Sequence, residues 1–230
     1  MGNKGITGNQ LKILAALFMT VDHIGLELYP NVPILRIIGR LAMPIFAWMI
    51  AEGCAHTRNK RRYLLTMLLA AVAYQLVFWL QFRVTGLSIF ATFSLSIGLI
   101  YGLDYANKRK DALSFLVLAA IFALVCVPCV ILPQVFHIKR FAVQYGLCGV
   151  LLPGLIYVGQ TKREKLFLAS CGMAMMALSS GGIQWYALMC LPLLALYNGQ
   201  RGKWKMKYFF YLYYPLHRIA IIAVKVLFFD

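Results

Sequence analysis

Charge is scarce in this chain. Only 13% of its 230 residues are Asp, Glu, Lys or Arg, about half the share in an average soluble domain. Acidic side chains are the rarest, 7 against 23 Lys and Arg. With 62% of residues hydrophobic and a mean hydropathy of +0.75, the sequence carries more apolar surface than one soluble core can bury. Lipid is therefore its natural solvent. A second Cys-x-x-Cys and a zinc-like array are also missing, which leaves no expected metal site. No internal repeat is evident, which argues against the paired halves of many secondary transporters. No long linker or low-complexity tail interrupts residues 1–230, which read as a single integral membrane domain. The weakly basic start, with Lys4 and Lys12, is followed by no obvious small-residue cleavage site, so it is read as leading into a retained first helix.

The net charge of +16 comes in short clusters between apolar segments: RNKRR at 58–62, KRK at 108–110, KREK at 162–165 and RGKWKMK at 201–207. Retention of Lys and Arg in cytoplasmic loops explains this pattern without nucleic acid, and no nucleic-acid fold signature accompanies it. Cys54, Cys126, Cys129, Cys148, Cys171 and Cys190 lie mostly in or beside apolar segments. The Cys126-Val-Pro-Cys129 pair falls late in an expected span, where a reactive thiolate is disfavoured.

A helix needs about 20 apolar residues to cross the hydrocarbon core. Segments 9–29, 35–56, 63–82, 86–104, 112–132, 142–160, 166–182, 183–199 and 207–229 meet that pattern, predicting an all-α polytopic bundle of about nine spans. Ser179-Ser180-Gly181-Gly182 must then form a tight turn. With the N-terminus in the cytoplasm, the basic clusters all fall inside, while the opposite loops hold only Arg83, Lys139 and Arg140.

Ionisable groups at membrane depth cost about 2.5–3.5 kcal/mol each on insertion scales and turn toward protein or water. Asp22 and His23 lie in the first apolar run. Arg36 and Arg40, four apart, share a face of the second, with Glu52 and His56 at its other end. His217 and Arg218 follow Tyr214-Pro215 in the final run. Neighbouring helical positions point about 100° apart, so Asp22 is a poor orienter of the His23 ring. The expected division has Asp22 paired with an arginine such as Arg40, and His23 sharing a cavity with His217. Imidazole can accept a proton from an attacking amine or hydroxyl and return it to a leaving group. An arginine can steady an oxyanion or hold phosphate. The same residues also suit a purely structural ion-pair network. Arg58, Arg61 and Arg62 can attract an anionic ligand or simply anchor the membrane face; Glu52 is poorly suited by charge.

Four stretches carry a resemblance: LKILAALFMTVDHIG (11–25), RIIGRLAMPIFAWMIAEGCAHTRNKRRYL (36–64), QWYALMCLPLLALYNGQRG (184–202) and KYFFYLYYPLHRIAI (207–221). With DHIG, GRxxxPIFAxxxAEG, YNGxRG and YxxYPxH in order, the chain resembles the TraX family of conjugal transfer membrane proteins. TraX is known as the membrane protein required for N-terminal acetylation of F-pilin. The resemblance implies an integral membrane acyltransferase of the bacterial cytoplasmic membrane. Acetyl-CoA would be its donor, and a peptide N-terminal amine or an envelope amine or hydroxyl its acceptor. The family's polar positions fall on Asp22, His23, Arg40, Glu52, Tyr214 and His217. Two positions depart from the family pattern: Ser88 in LSIFATF stands where an Asn is common, and Gln144-Tyr145-Gly146 where Asp-Tyr-Gly is common.

The residues thus nominate His23, His217, Asp22 and Arg40 for catalysis, and Arg58, Arg61, Arg62, Glu52 and Tyr214 for the donor. A proton-coupled transporter or flippase, and a non-catalytic pilus or envelope assembly factor, are the alternatives.

Overall fold

A computed structural model of the chain describes residues 5–82, 86–135, 142–204, 206 and 209–228. Arg83, Lys139, Arg140, Lys205, Lys207 and Asp230 lie outside the described residues. The described elements are helices, joined by two isolated bridges, Ile6 with Tyr197 and Leu87 with Val143. In chain order they are α1 (Gly8–Glu27), α2 (Pro33–Gly39), α3 (Ala42–His56), α4 (Lys60–Phe82), α5 (Ile89–Arg109) and α6 (Ala112–Cys126). A π-helix follows (Val127–Val135), then α7 (Gly146–Val158), α8 (Lys162–Ser180), a 3-10 helix (Gly182–Cys190), α9 (Leu191–Ala195) and α10 (Phe209–Phe228).

The protein is an all-α, multi-pass membrane bundle, but the expected count of about nine spans is too high. Among the described residues five helical stretches are long and apolar enough to cross: Pro33–His56, Lys60–Leu80, Ile89–Arg109, Ala112–Val135 and Phe209–Phe228. The other four expected segments fail for identifiable reasons. α1 is long enough but carries Lys12, Asp22 and Glu27. With 13 residues, α7 rises about 20 Å, short of a core about 30 Å thick. α8 opens on Lys162-Arg163-Glu164-Lys165 and closes on Ser179-Ser180, which dilutes its apolar stretch. The segment 183–199 breaks into the 3-10 helix and the short α9. The tight turn before it is present, with Gly181 and Gly182 at φ +67° and +55°, a left-handed region that glycine enters without steric cost.

Contacts divide the chain into two compact units, Met1–Met49 with Lys162–Asp230, and Ile50–Thr161. In the first, α1 packs on α2 and α10, and the 3-10 helix packs on α2 and α8. Leu11, Ala15, Ile45, Met173, Met176 and Leu194 are fully enclosed. The start of α1 is tied down twice. Thr7 and Gln10 form a reciprocal cap, which satisfies donors that the first helical turn otherwise leaves unpaired. The stretch Tyr197–Gly202 supplies the rest: Gly8 N–H donates to the Gln200 carbonyl at 2.8 Å and Asn9 N–H to that of Arg201 at 2.9 Å. At Gly5, a Cβ would sit 2.6 Å from the Leu196 oxygen, so only glycine allows this approach.

α5 is the centre of the second unit, against α4, α6 and α7. Its Ser96 hydroxyl donates to the Val150 carbonyl at 2.7 Å and Thr92 to that of Gln144 at 3.0 Å, which joins it to α7 and the residue pair before it. Pro128 and Pro133 lack N–H donors, so the ladder after α6 cannot close in the α pattern and widens. All six cysteines are free thiols.

Candidate functional site

Asp22 and His23 are neighbours in α1 with different partners. His23 Nδ1 lies 2.8 Å from His217 Nε2, and both rings are buried, at 8% and 7% exposure. His217 Nδ1 lies 2.8 Å from the Tyr213 carbonyl oxygen. A carbonyl only accepts, so Nδ1 of His217 carries a proton. In the neutral pair His217 Nε2 is then the acceptor, His23 Nδ1 the donor, and His23 Nε2 keeps its lone pair.

The surroundings fix these rings. Tyr213 stacks on His217 with centroids 5.2 Å apart, and Tyr214 meets His217 edge-on at 5.6 Å and His23 at 6.4 Å. Along the same seam the Thr20 and Tyr213 hydroxyls are 2.6 Å apart, and Arg218 donates to Glu27 at 3.0 Å. Partners advance together on both helices, so α1 and α10 run parallel. Lys225 also reaches Glu27, at 3.5 Å.

Asp22 faces α2 instead. Arg36 Nη1 donates to its Oδ2 at 2.6 Å and to its main-chain oxygen at 3.2 Å. Arg40 is held more loosely: Nη2 to Asp22 Oδ1 at 3.3 Å, Nη1 to Gln184 Oε1 at 3.4 Å and Nε to the Arg36 carbonyl at 3.4 Å. Gly39 permits this, because any β-carbon there would collide with the Asp22 side chain.

The structure therefore gathers His23 with His217, and Asp22 with Arg40, at neighbouring positions of α1. It adds Arg36 as the tighter partner of Asp22, and Gln184 beyond Arg40. The four-residue spacing of Arg36 and Arg40 put both on the right face; nothing in the sequence pattern distinguished Gln184.

The residues nominated for the donor are divided between the two units. Tyr214 belongs to the first unit, packed on the histidines. Arg58, Arg61 and Arg62 are exposed in the second, around the start of α4, where the Asn59 side chain accepts from Arg62 N–H at 2.8 Å. Lys60 in the same run is neutralised by Asp104, which also accepts from Tyr157 at 2.8 Å. Glu52 is half-buried, and His56 Nδ1 donates to its carbonyl at 2.9 Å.

A helical multi-pass membrane protein with a buried histidine pair beside an arginine–aspartate network is the class that these features define. Within that class, the chain belongs to the TraX protein family, which matches it over residues 7–225 and so takes in both histidines. It is 25% identical to the Probable fimbrial assembly protein FimC, serogroup H1, of Dichelobacter nodosus, over 94% of each chain. It is also 35% identical over 106 residues to an uncharacterized protein of Rickettsia prowazekii (strain Madrid E). That match takes in 46% of this chain and 40% of the relative, so the chain spans about two-fifths of that protein's length. No solved structure matches.

Proposed function

We propose that the protein is an acyltransferase of the bacterial cytoplasmic membrane that moves an acetyl group from acetyl-CoA to an amine or hydroxyl. The observation that carries this reading is the His23–His217 hydrogen bond at 2.8 Å, with His217 in turn bonded to a main-chain carbonyl. A base whose ring and tautomer are fixed by a second group follows the general logic of activated nucleophiles. Here the attacking group belongs to the acceptor. His23 Nε2 takes its proton as the nitrogen or oxygen bonds to the thioester carbon. The carbon–sulfur bond then breaks, and the imidazolium returns the proton to the departing thiolate. Arg40 supplies positive charge for the carbonyl oxygen, and Asp22 positions the arginines. In this reading Arg58, Arg61 and Arg62 attract the donor's phosphates.

The acceptor is a peptide N-terminal amine or an envelope amine or hydroxyl. The fimbrial role in the name of the Dichelobacter relative favours a pilin-like peptide. It also favours a second reading, a non-catalytic assembly factor, which one measurement separates from the first. Purified protein with radiolabelled acetyl-CoA should transfer label to a peptide amine. Removing a positioned base typically slows transfer about 10²–10⁴-fold. His23→Ala should fall in that range while still folding and binding coenzyme A. Transfer unchanged in both His23→Ala and His217→Ala would reject the catalytic reading.

A further inference from the structure

In the first unit, every buried side-chain nitrogen or oxygen without a partner, among the described residues, is an N–H donor: Trp48 Nε1, Gln184 Nε2 and Arg218 Nε. Two of these three belong to the charged network. Gln184 is only 4% exposed, and its carbonyl end is turned to Arg40, so its amide N–H bonds face elsewhere unmet. Arg40 has five N–H donors, of which its three long contacts use only some.

The charges have the same sign as the unmet donors. Arg36, Arg40 and Arg218 share two carboxylates, Asp22 and Glu27, before the more exposed Lys225 is counted. Asp22 and Glu27 lie five residues apart on α1, about 8 Å of helical rise, so the excess is concentrated. Unpaired charge and unmet donors are both costly where lipid replaces water. What the site lacks is an acceptor that carries negative charge.

We propose that Arg40 and Gln184 form a binding site for an oxyanion, the carboxylate or phosphate group of a ligand, with Arg218 adding positive charge from α10. Guanidinium is the side chain best matched to such groups, through paired N–H···O bonds. The site goes beyond the acyl-transfer reading and does not depend on it, because it binds a charge already present on the ligand. The ligand can be soluble or the headgroup of a lipid, and the chemistry is shared.

The test measures thermal unfolding of purified protein in phosphatidylcholine nanodiscs. One arm adds sodium phosphate or sodium acetate, with sodium chloride as control; the other replaces part of the lipid with phosphatidylglycerol. The wild-type midpoint should rise with the soluble anions or with the anionic lipid, and the responding arm identifies the source. Gln184→Glu brings its own carboxylate, so it should raise the midpoint without ligand and abolish the response. Gln184→Leu removes the donor and should shift the response to at least tenfold higher ligand concentration. No rise in either arm would mean that water meets these donors, which overturns the proposal. An undiminished response in Gln184→Leu, the expected sign of a general salt effect, overturns it as well.

Discussion

Asp22 is shared unequally between two arginines, and the inequality can be measured. Its side chain is 15% exposed, with Arg36 at 24% and Arg40 at 12%, so all three groups are largely withdrawn from water. Arg36 makes two contacts with Asp22, the shorter at 2.6 Å, whereas Arg40 makes one at 3.3 Å. A hydrogen bond to a charged group contributes about 1.5–3 kcal/mol, and halving a buried pair costs about 3–5 kcal/mol. Asp22→Asn and Arg36→Gln should each cost about 3 kcal/mol. Their double variant should cost little more than either, a coupling of about 2 kcal/mol. Arg40→Gln should couple to Asp22→Asn by less than about 1 kcal/mol, since a contact at 3.3 Å is weak. The assay is reversible unfolding in mixed micelles, with both cycles measured under the same conditions. Strictly additive losses, or a larger coupling to Arg40 than to Arg36, would refute the assignment of Arg36 as principal partner.

Two further outcomes are expected. Gly39→Ala places a methyl group into Asp22 and should destabilise the fold by about 1–3 kcal/mol, the usual range for an overfilled interior, read as a lower unfolding midpoint; an unchanged midpoint would show that α2 can move away freely. The loops at 57–59 and 110–111 are joined through α4 and α5, both long enough to span, and both are flanked by basic residues. Single cysteines at Asn59 and Lys110, in a background without other cysteines, should therefore react with an impermeant thiol reagent from the same side of the membrane, and one at Gly86 from the opposite side. Reaction of Asn59 and Lys110 from different sides would show that α4 and α5 do not both cross.

The membrane class was legible because it rests on bulk composition, and the helical class because lipid leaves the backbone few alternatives. Span number was less legible. A window of apolar residues registers α7 and the 182–195 region as candidates, but it cannot see that one is too short and the other wound partly as a 3-10 helix. At the site, the distinct directions of Asp22 and His23 followed from helical geometry, and the contacts of Asp22 with Arg40 and His23 with His217 are present. That Arg36 outcompetes Arg40 was not readable, because both lie on one face and only side-chain reach separates them. Gln184 left no trace in the pattern, being a lone amide in a segment whose helical type the sequence did not disclose.

The parallel seam of α1 and α10 has a consequence for how the protein is made. His23 and His217 are 194 residues apart, which at about 5–20 residues per second is roughly 10–40 s of synthesis. Asp22 and Arg36 are separated by only 14 residues, so their ion pair can close soon after α2 leaves the ribosome. Neutralising Asp22 locally lets α1 pack on α2 while the polar seam still waits for its other wall. During that interval His23 and Glu27 are without the partners that α10 brings. Arg36 thus serves the nascent chain before it serves the finished site.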